Sequence, residues 1–235
     1  MRLVTWNLGH RSNGDCRSDG LVAALTALEP DIAVLVDRSP GTACEQLLAA
    51  LAGIGLGHQL ATAPGEHDGR VTLAGRLEML PGSLDARTTG EMPSHLLHAY
   101  APSGNLDVIS LTTGRNGRGG QARQEGWDWL HRAASTLKQR RTILIGDLAS
   151  GAAYAGPGHA QPLRRFISEG WQHAMPTEGA SCSTDGEDAV GVDHAFLSPL
   201  LQRIDTHYVL GAAGLRLAGT KDSPSERPVL VVDLQ

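Results

Sequence analysis

The run Thr142-Ile143-Leu144-Ile145-Gly146-Asp147 constrains the fold of this chain more than any other stretch. It is too short for a helix and rich in β-branched residues, so it reads as a strand. Its apolar residues do not alternate with polar ones. A run of that kind fits a fully buried strand. The run stops at Gly146-Asp147, and α/β sheets place their chemistry at strand ends of this kind. Asp147 is therefore the first carboxylate to explain. Two residues on, where a complete polar site would place a partner, stands Ala149.

Three more runs share the pattern. Leu3-Val4-Thr5-Trp6 ends at Asn7, Ile32 to Val36 ends at Asp37, and Asp193 lies at the start of Val192 to Leu197. Further strands are predicted at 58–63, 70–77, 95–100, 106–112, 207–210 and 229–234. Helical spacing of Leu21, Val22, Leu25 and Leu28, closed by Pro30, predicts a helix over 20–29. Helices are also expected over 42–52, 121–139 (with Trp127, Leu130, Ala134 and Leu137 on one stripe) and 161–170. Residues 9–19, 114–120 and 150–160 read as loops, the second Gly-rich and basic. Strands and helices do not alternate strictly, so the sheets should be mixed.

Composition bounds the function. With 235 residues, no repeat and no dividing linker, residues 1–235 read as a single domain. No apolar run reaches membrane-spanning length, and Met1 to Asn7 turns polar too soon for a signal peptide. Three widely spaced cysteines, with no CxxC pair, point to a reducing, cytoplasmic setting. The formal net charge of −5 lowers the expectation of a nucleic-acid partner.

One polar residue at a strand end is commonly a turn former. Four together, Asn7, Asp37, Asp147 and Asp193, would make an acidic, oxygen-rich pocket if they converge. Hard divalent cations prefer such pockets. A cation there polarises a phosphoryl oxygen and activates water, so the chemistry implied is phosphoester hydrolysis.

The order of the motifs resembles the endonuclease/exonuclease/phosphatase superfamily, which includes deoxyribonuclease-I-like and AP-endonuclease-like enzymes. The matching segments are 4–7, Pro30 to Asp37, Tyr100-Ala101-Pro102, Arg123-Gln124, Ile143 to Asp147, Gly191 to Ser198, and Arg227-Pro228-Val229. The resemblance implies a four-layer α/β sandwich, two packed mixed β-sheets flanked by helices. It also implies roles. Asn7 would orient a metal-bound water or phosphate oxygen, and Asp147 would act on the attacking water or hold the metal with Asp37 and Asn7. Tyr100 would touch the phosphate. Asp193 would orient a histidine from the last motif. Mg²⁺ or Mn²⁺ is the ion implied for an active site; a silent one needs none.

Several positions depart from the family pattern. The metal-binding Glu of the second motif is Asp37, one methylene shorter. The Asn two residues after Asp147 is Ala149, and the central His is Gly114. The closing Ser-Asp-His is Pro224-Ser225-Glu226. Glu226 could serve as base or ligand from the histidine's place. Two readings follow. One is a divergent member, impaired or silent as a hydrolase, that acts by binding a phosphate-containing ligand or a protein. The other is an active Mg²⁺-dependent phosphoesterase or nuclease with a rearranged site using Asp37, Asp147 and Glu226.

Overall fold

The computed structural model describes residues 1–8, 18–38, 42–62, 70–84, 89, 95–112, 120–148, 157–179, 192–220, 222–225 and 227–235; for residues 18, 37, 38, 42–44, 120–123 and 157–160 it describes the backbone only. The chain begins with β1 (Arg2–Asn7), α1 (Ser18–Leu28), β2 (Ile32–Arg38), α2 (Thr42–Gly53), β3 (His58–Ala61) and β4 (Arg70–Gly75). It continues with β5 (Leu80–Pro81), β6 (Leu96–Ala101), a 3₁₀ turn (Pro102–Gly104), β7 (Leu106–Thr112), α3 (Gly120–Leu137) and β8 (Thr142–Asp147). Then follow α4 (Pro157–Ser168), β9 (Gln172–His173), β10 (Asp193–Leu197), β11 (Arg203–Val209), β12 (Gly211–Ala212), β13 (Leu215–Arg216) and β14 (Val229–Leu234).

Two six-stranded sheets form, ordered β11-β14-β1-β2-β4-β3 and β5-β6-β7-β8-β10-β9. Each contains one parallel pair, β1 with β2 and β7 with β8, and is otherwise antiparallel. Parallel neighbours need a crossover, and α1 and α3 supply the two crossovers.

Strand alternation assigns the layers. Ile143 and Ile145 of β8 meet Leu3, Val34 and Leu230 between the sheets. Leu144 of the same strand packs outward with Leu130 of α3 and Phe166 of α4. On the other side Trp6 and Leu35 face Leu25 of α1 and Leu47 and Leu51 of α2. The result is the expected four-layer sandwich of helices, sheet, sheet and helices. Burying an aliphatic side chain contributes about 1.5–3 kcal/mol, and all of β8 is buried.

Some boundaries differ from expectation. Residues 157–160, read as loop, open α4 instead. Proline is tolerated at the first helical position because its missing N–H is unbonded there in any case. The strand expected at 207–210 starts four residues earlier, at Arg203. Two-residue strands β5, β9, β12 and β13 had no sequence signal, being too short to show a period. Among the described residues no helix is long and apolar enough to cross a membrane.

Candidate functional site

The alternation that builds the core also aims the polar residues. Leu3 faces the seam between the sheets, so Thr5 and Asn7 share that side of β1. By the same parity Asp147 follows Ile143 and Ile145, and Asp193 precedes Ala195 and Leu197. Gly146 sets the end of β8. Its φ is +149°, and a Cβ there would lie 2.3 Å from the Leu111 carbonyl oxygen, so only glycine fits.

Asn7, Asp147 and Asp193 are therefore gathered at one end of the seam. The Asn7 Nδ2 donates to Asp147 Oδ2 at 2.7 Å. Asp193 and Asp147 are direct register partners on adjacent antiparallel strands. Like charges in that relation repel, and the two residues are 1% and 3% exposed, where water screens little. Among the described residues a counter-charge comes from Arg227. Its Nη1 donates to Asp147 Oδ2 at 2.9 Å and lies 3.9 Å from Asp193 Oδ2.

The main chain of Arg227 is fastened on both sides. The Ser225 hydroxyl donates to the Asn7 carbonyl and accepts the Arg227 backbone N–H at 3.0 Å. The Trp6 indole N–H donates to the Arg227 carbonyl at 3.0 Å. Arg227 is 6% exposed. The guanidinium thus belongs to the folded core of this end and is not a surface side chain lying across it.

Two site expectations fall outside the described atoms. Glu226 lies outside the described residues, as does Ala149, and Asp37 is placed by its backbone alone, one residue beyond the Val36 that pairs with Asn7. Tyr100 needs correction, because it is not at this end. It pairs with Asp107, and Asp107 pairs with Thr142, the first residue of β8. Five residues of strand, about 16 Å, separate that level from Asp147. There the Tyr100 hydroxyl donates to Asn105 Oδ1 at 3.0 Å and Arg140 lies over its ring at 5.4 Å. Tyr100 stands before Ala101-Pro102 on β6, which runs opposite to β7, and that reverses the end it reaches.

His194 faces away from the seam, as adjacency to Asp193 requires. Its Nδ1 is 3.1 Å from Nε2 of His173, whose ring stacks on Phe196 at 4.4 Å. Burial first, and the charge of His194 second, push His173 down to about 4.

The described donors at this end, Asn7, Asp147 and Asp193, do not by themselves fit a resident Mg²⁺ or Mn²⁺; the Asp37 side chain and Glu226 are not among them. Such ions keep several waters in a near-octahedral shell. Asp147 Oδ2 already accepts two donors, one of them cationic, and a second cation would face the guanidinium at close range. Among the described residues no three His, Cys, Asp or Glu side chains are grouped to hold a metal. Sequence reasoning missed Arg227 as a site residue. The available signal was that the last motif had lost its acid and its histidine while the arginine remained.

No protein-family model and no curated protein matches the sequence. Solved structures do match the fold. An AP endonuclease from Archaeoglobus fulgidus superposes with TM-score 0.73 at 15% identity, covering 100% of this chain and 99% of the other. A Neisseria 3′ phosphatase, NExo, bound to a product DNA hairpin gives 0.75 at 15%, with 100% and 99% covered. An endonuclease/exonuclease/phosphatase protein from Beutenbergia cavernae gives 0.71 at 17%, with 100% and 71% covered. The chain has the fold of these proteins.

Proposed function

We propose that this chain is an endonuclease/exonuclease/phosphatase-fold protein in which hydrolysis is impaired or lost and which acts by binding. One observation carries the reading: the Arg227 guanidinium is hydrogen-bonded to Asp147 inside the carboxylate pair, in the middle of the polar strand ends. Phosphoryl-transfer catalysis on such folds depends on positioning and on cations directed at the transferring group. Here a buried cation among the described residues is directed at the protein's own carboxylate. Losing one member of a catalytic unit commonly costs nearly as much as losing all of them, so the replacements at 114, 149, 225 and 226 reinforce the reading. The ligand class that suits the fold is a phosphate-containing molecule; a protein partner is the alternative.

The test is a panel of phosphodiester and phosphomonoester substrates with Mg²⁺ or Mn²⁺. Turnover of the wild type should be indistinguishable from that of Asp147→Ala, with folding of both checked by circular dichroism. The second reading, an active phosphoesterase, is favoured by the nuclease and phosphatase neighbours in fold. Metal-dependent turnover that disappears in Asp147→Ala would establish it and remove the first.

A further inference from the structure

The outer face of α3 carries a second polar group that the seam does not use. Asp128, His131, Arg132, Ser135 and Thr136 recur at i, i+3, i+4, i+7 and i+8, which puts them on one stripe of the helix. With Arg165 of α4 they line a groove of about 340 Å³ between the two helices. That volume is at the lower end of small-molecule sites.

Several groups around this groove are prepared for a ligand. His131 is 3% exposed, and its ring stacks on Phe166 with centroids 4.2 Å apart. Its Nδ1 faces Glu169 Oε2 at 3.7 Å, an ion-pair distance too long for a hydrogen bond, and among the described residues neither atom has a hydrogen-bond partner, which is uncommon for buried polar atoms. Arg132 uses its Nε on the Thr89 carbonyl, and Arg165 uses its Nε on Glu169 Oε1 at 2.7 Å. No hydrogen bond among the described residues engages the terminal nitrogens of either guanidinium. Two arginines on facing helices, with the Ser135 hydroxyl between them, suit an oxyanion; the Thr136 hydroxyl donates to the Arg132 carbonyl. Asp128 changes the ligand's character. One of its oxygens accepts from Gln124 at 3.0 Å, and the other can accept a hydroxyl.

We propose that the α3–α4 groove binds a small molecule carrying one oxyanion, a phosphoryl group foremost, beside a hydroxyl group. Arg132, Arg165 and Ser135 hold the oxyanion, and Asp128 accepts the hydroxyl. The site is on the outer layer, so it stands or falls independently of what the Asp147 end does.

Glycerol 3-phosphate, inorganic phosphate and glycerol are the probes, followed by amide chemical shifts of the full chain. Glycerol 3-phosphate should bind saturably with shifts confined to 128–136 and 165, at least fivefold tighter than phosphate; glycerol alone should not bind. Arg165→Gln should weaken both phosphates at least tenfold, and Asp128→Asn should weaken glycerol 3-phosphate alone. Ser135→Leu, at an exposed helical position, fills the groove and should abolish binding with the thermal midpoint unchanged. The His131 ring supplies a second readout. It is faced by Asp128 from α3, by Arg165 from α4 and by Glu169 just past it, between the rings of Trp127 and Phe166. Burial first, then Arg165, hold its titration below the ordinary range, and a bound oxyanion should move that titration to higher pH. Absence of saturable shifts, or shifts that survive both Arg165→Gln and Ser135→Leu, would overturn the proposal.

Discussion

Two aspartate–arginine pairs stand at opposite ends of the β7–β8 sheet, and they are built differently. At one end Arg227 meets Asp147 at 2.9 Å, with 7% and 4% of the two side chains exposed. At the other Arg140 meets Asp107, also at 2.9 Å, but 41% of the arginine side chain is exposed. Asp107 has a second partner in His98 Nε2 at 2.9 Å. Asp147 has a neutral amide and, next along the sheet, another carboxylate. Equal distances thus conceal unequal dependence. The Asp107 end has an imidazole besides, and a guanidinium that is itself partly in solvent, although Asp107 is as buried as Asp147. At the Asp147 end a guanidinium, itself buried, lies beside two buried acids.

The largest expected effect follows from that inequality. Arg227→Met leaves two buried carboxylates facing each other and should destabilise the fold by about 3–5 kcal/mol, read from urea unfolding at pH 7. Adding Asp147→Asn should restore a substantial part, because removing both partners of a buried pair is far cheaper than removing one. A loss below about 1 kcal/mol for Arg227→Met would mean that solvent reaches the pair and that the two ends do not differ as described.

The next effect separates guanidinium from imidazole. Arg227 does not titrate in the accessible range, so the charge it holds behind Asp193 is independent of pH. On the other face of β10, His173 does titrate. Its folded pKa of about 4 lies below the ordinary value of 6.5, so the unfolded chain binds the proton first. The stability it contributes is complete above pH 6.5 and is lost as pH falls toward 4, by about 3 kcal/mol. His131, shifted in the same direction, adds to the slope. His173→Asn should flatten the acid limb of a stability-versus-pH curve. An unchanged limb would show that His173 already carries its proton in the folded state.

These contrasts were only partly legible in the sequence. The strands ending at Asn7 and Asp147, and the strand that Asp193 begins, could be read because each is a run of apolar residues bounded by a polar one. The four layers followed from the family resemblance of the ordered motifs, and β8, buried along its length, agrees with them. The stripe Trp127, Leu130, Ala134 and Leu137 located α3 to within a few residues. Tyr100 was misplaced because a three-residue match has no direction, and only the antiparallel register of β6 fixes which end it reaches. Arg227 was passed over because its partner is 80 residues away, and no local period reports a side-chain pair of that separation. His98 and Asp107 were invisible for a different reason: nine residues apart, they are joined only once β6 and β7 pair.

The smallest effect is the most discriminating for the comparison. Arg140→Met should cost less than Arg227→Met, about 1–2 kcal/mol, because the arginine is partly in solvent while Asp107 is buried. The vacated side chain opens Asp107 to solvent, while His98 keeps its hydrogen bond to the other carboxylate oxygen. Part of any loss would come from Tyr100, whose ring lies 5.4 Å from the Arg140 guanidinium carbon, and cation–π contacts at exposed sites contribute about 0.5–1 kcal/mol. Tyr100→Leu in the Arg140→Met background should then add no further loss of that kind, since the cation is already gone. A cost for Arg140→Met as large as that for Arg227→Met would show that Asp107 depends on its arginine as fully as Asp147 does. Exposure of the partner would then not be what divides the two ends.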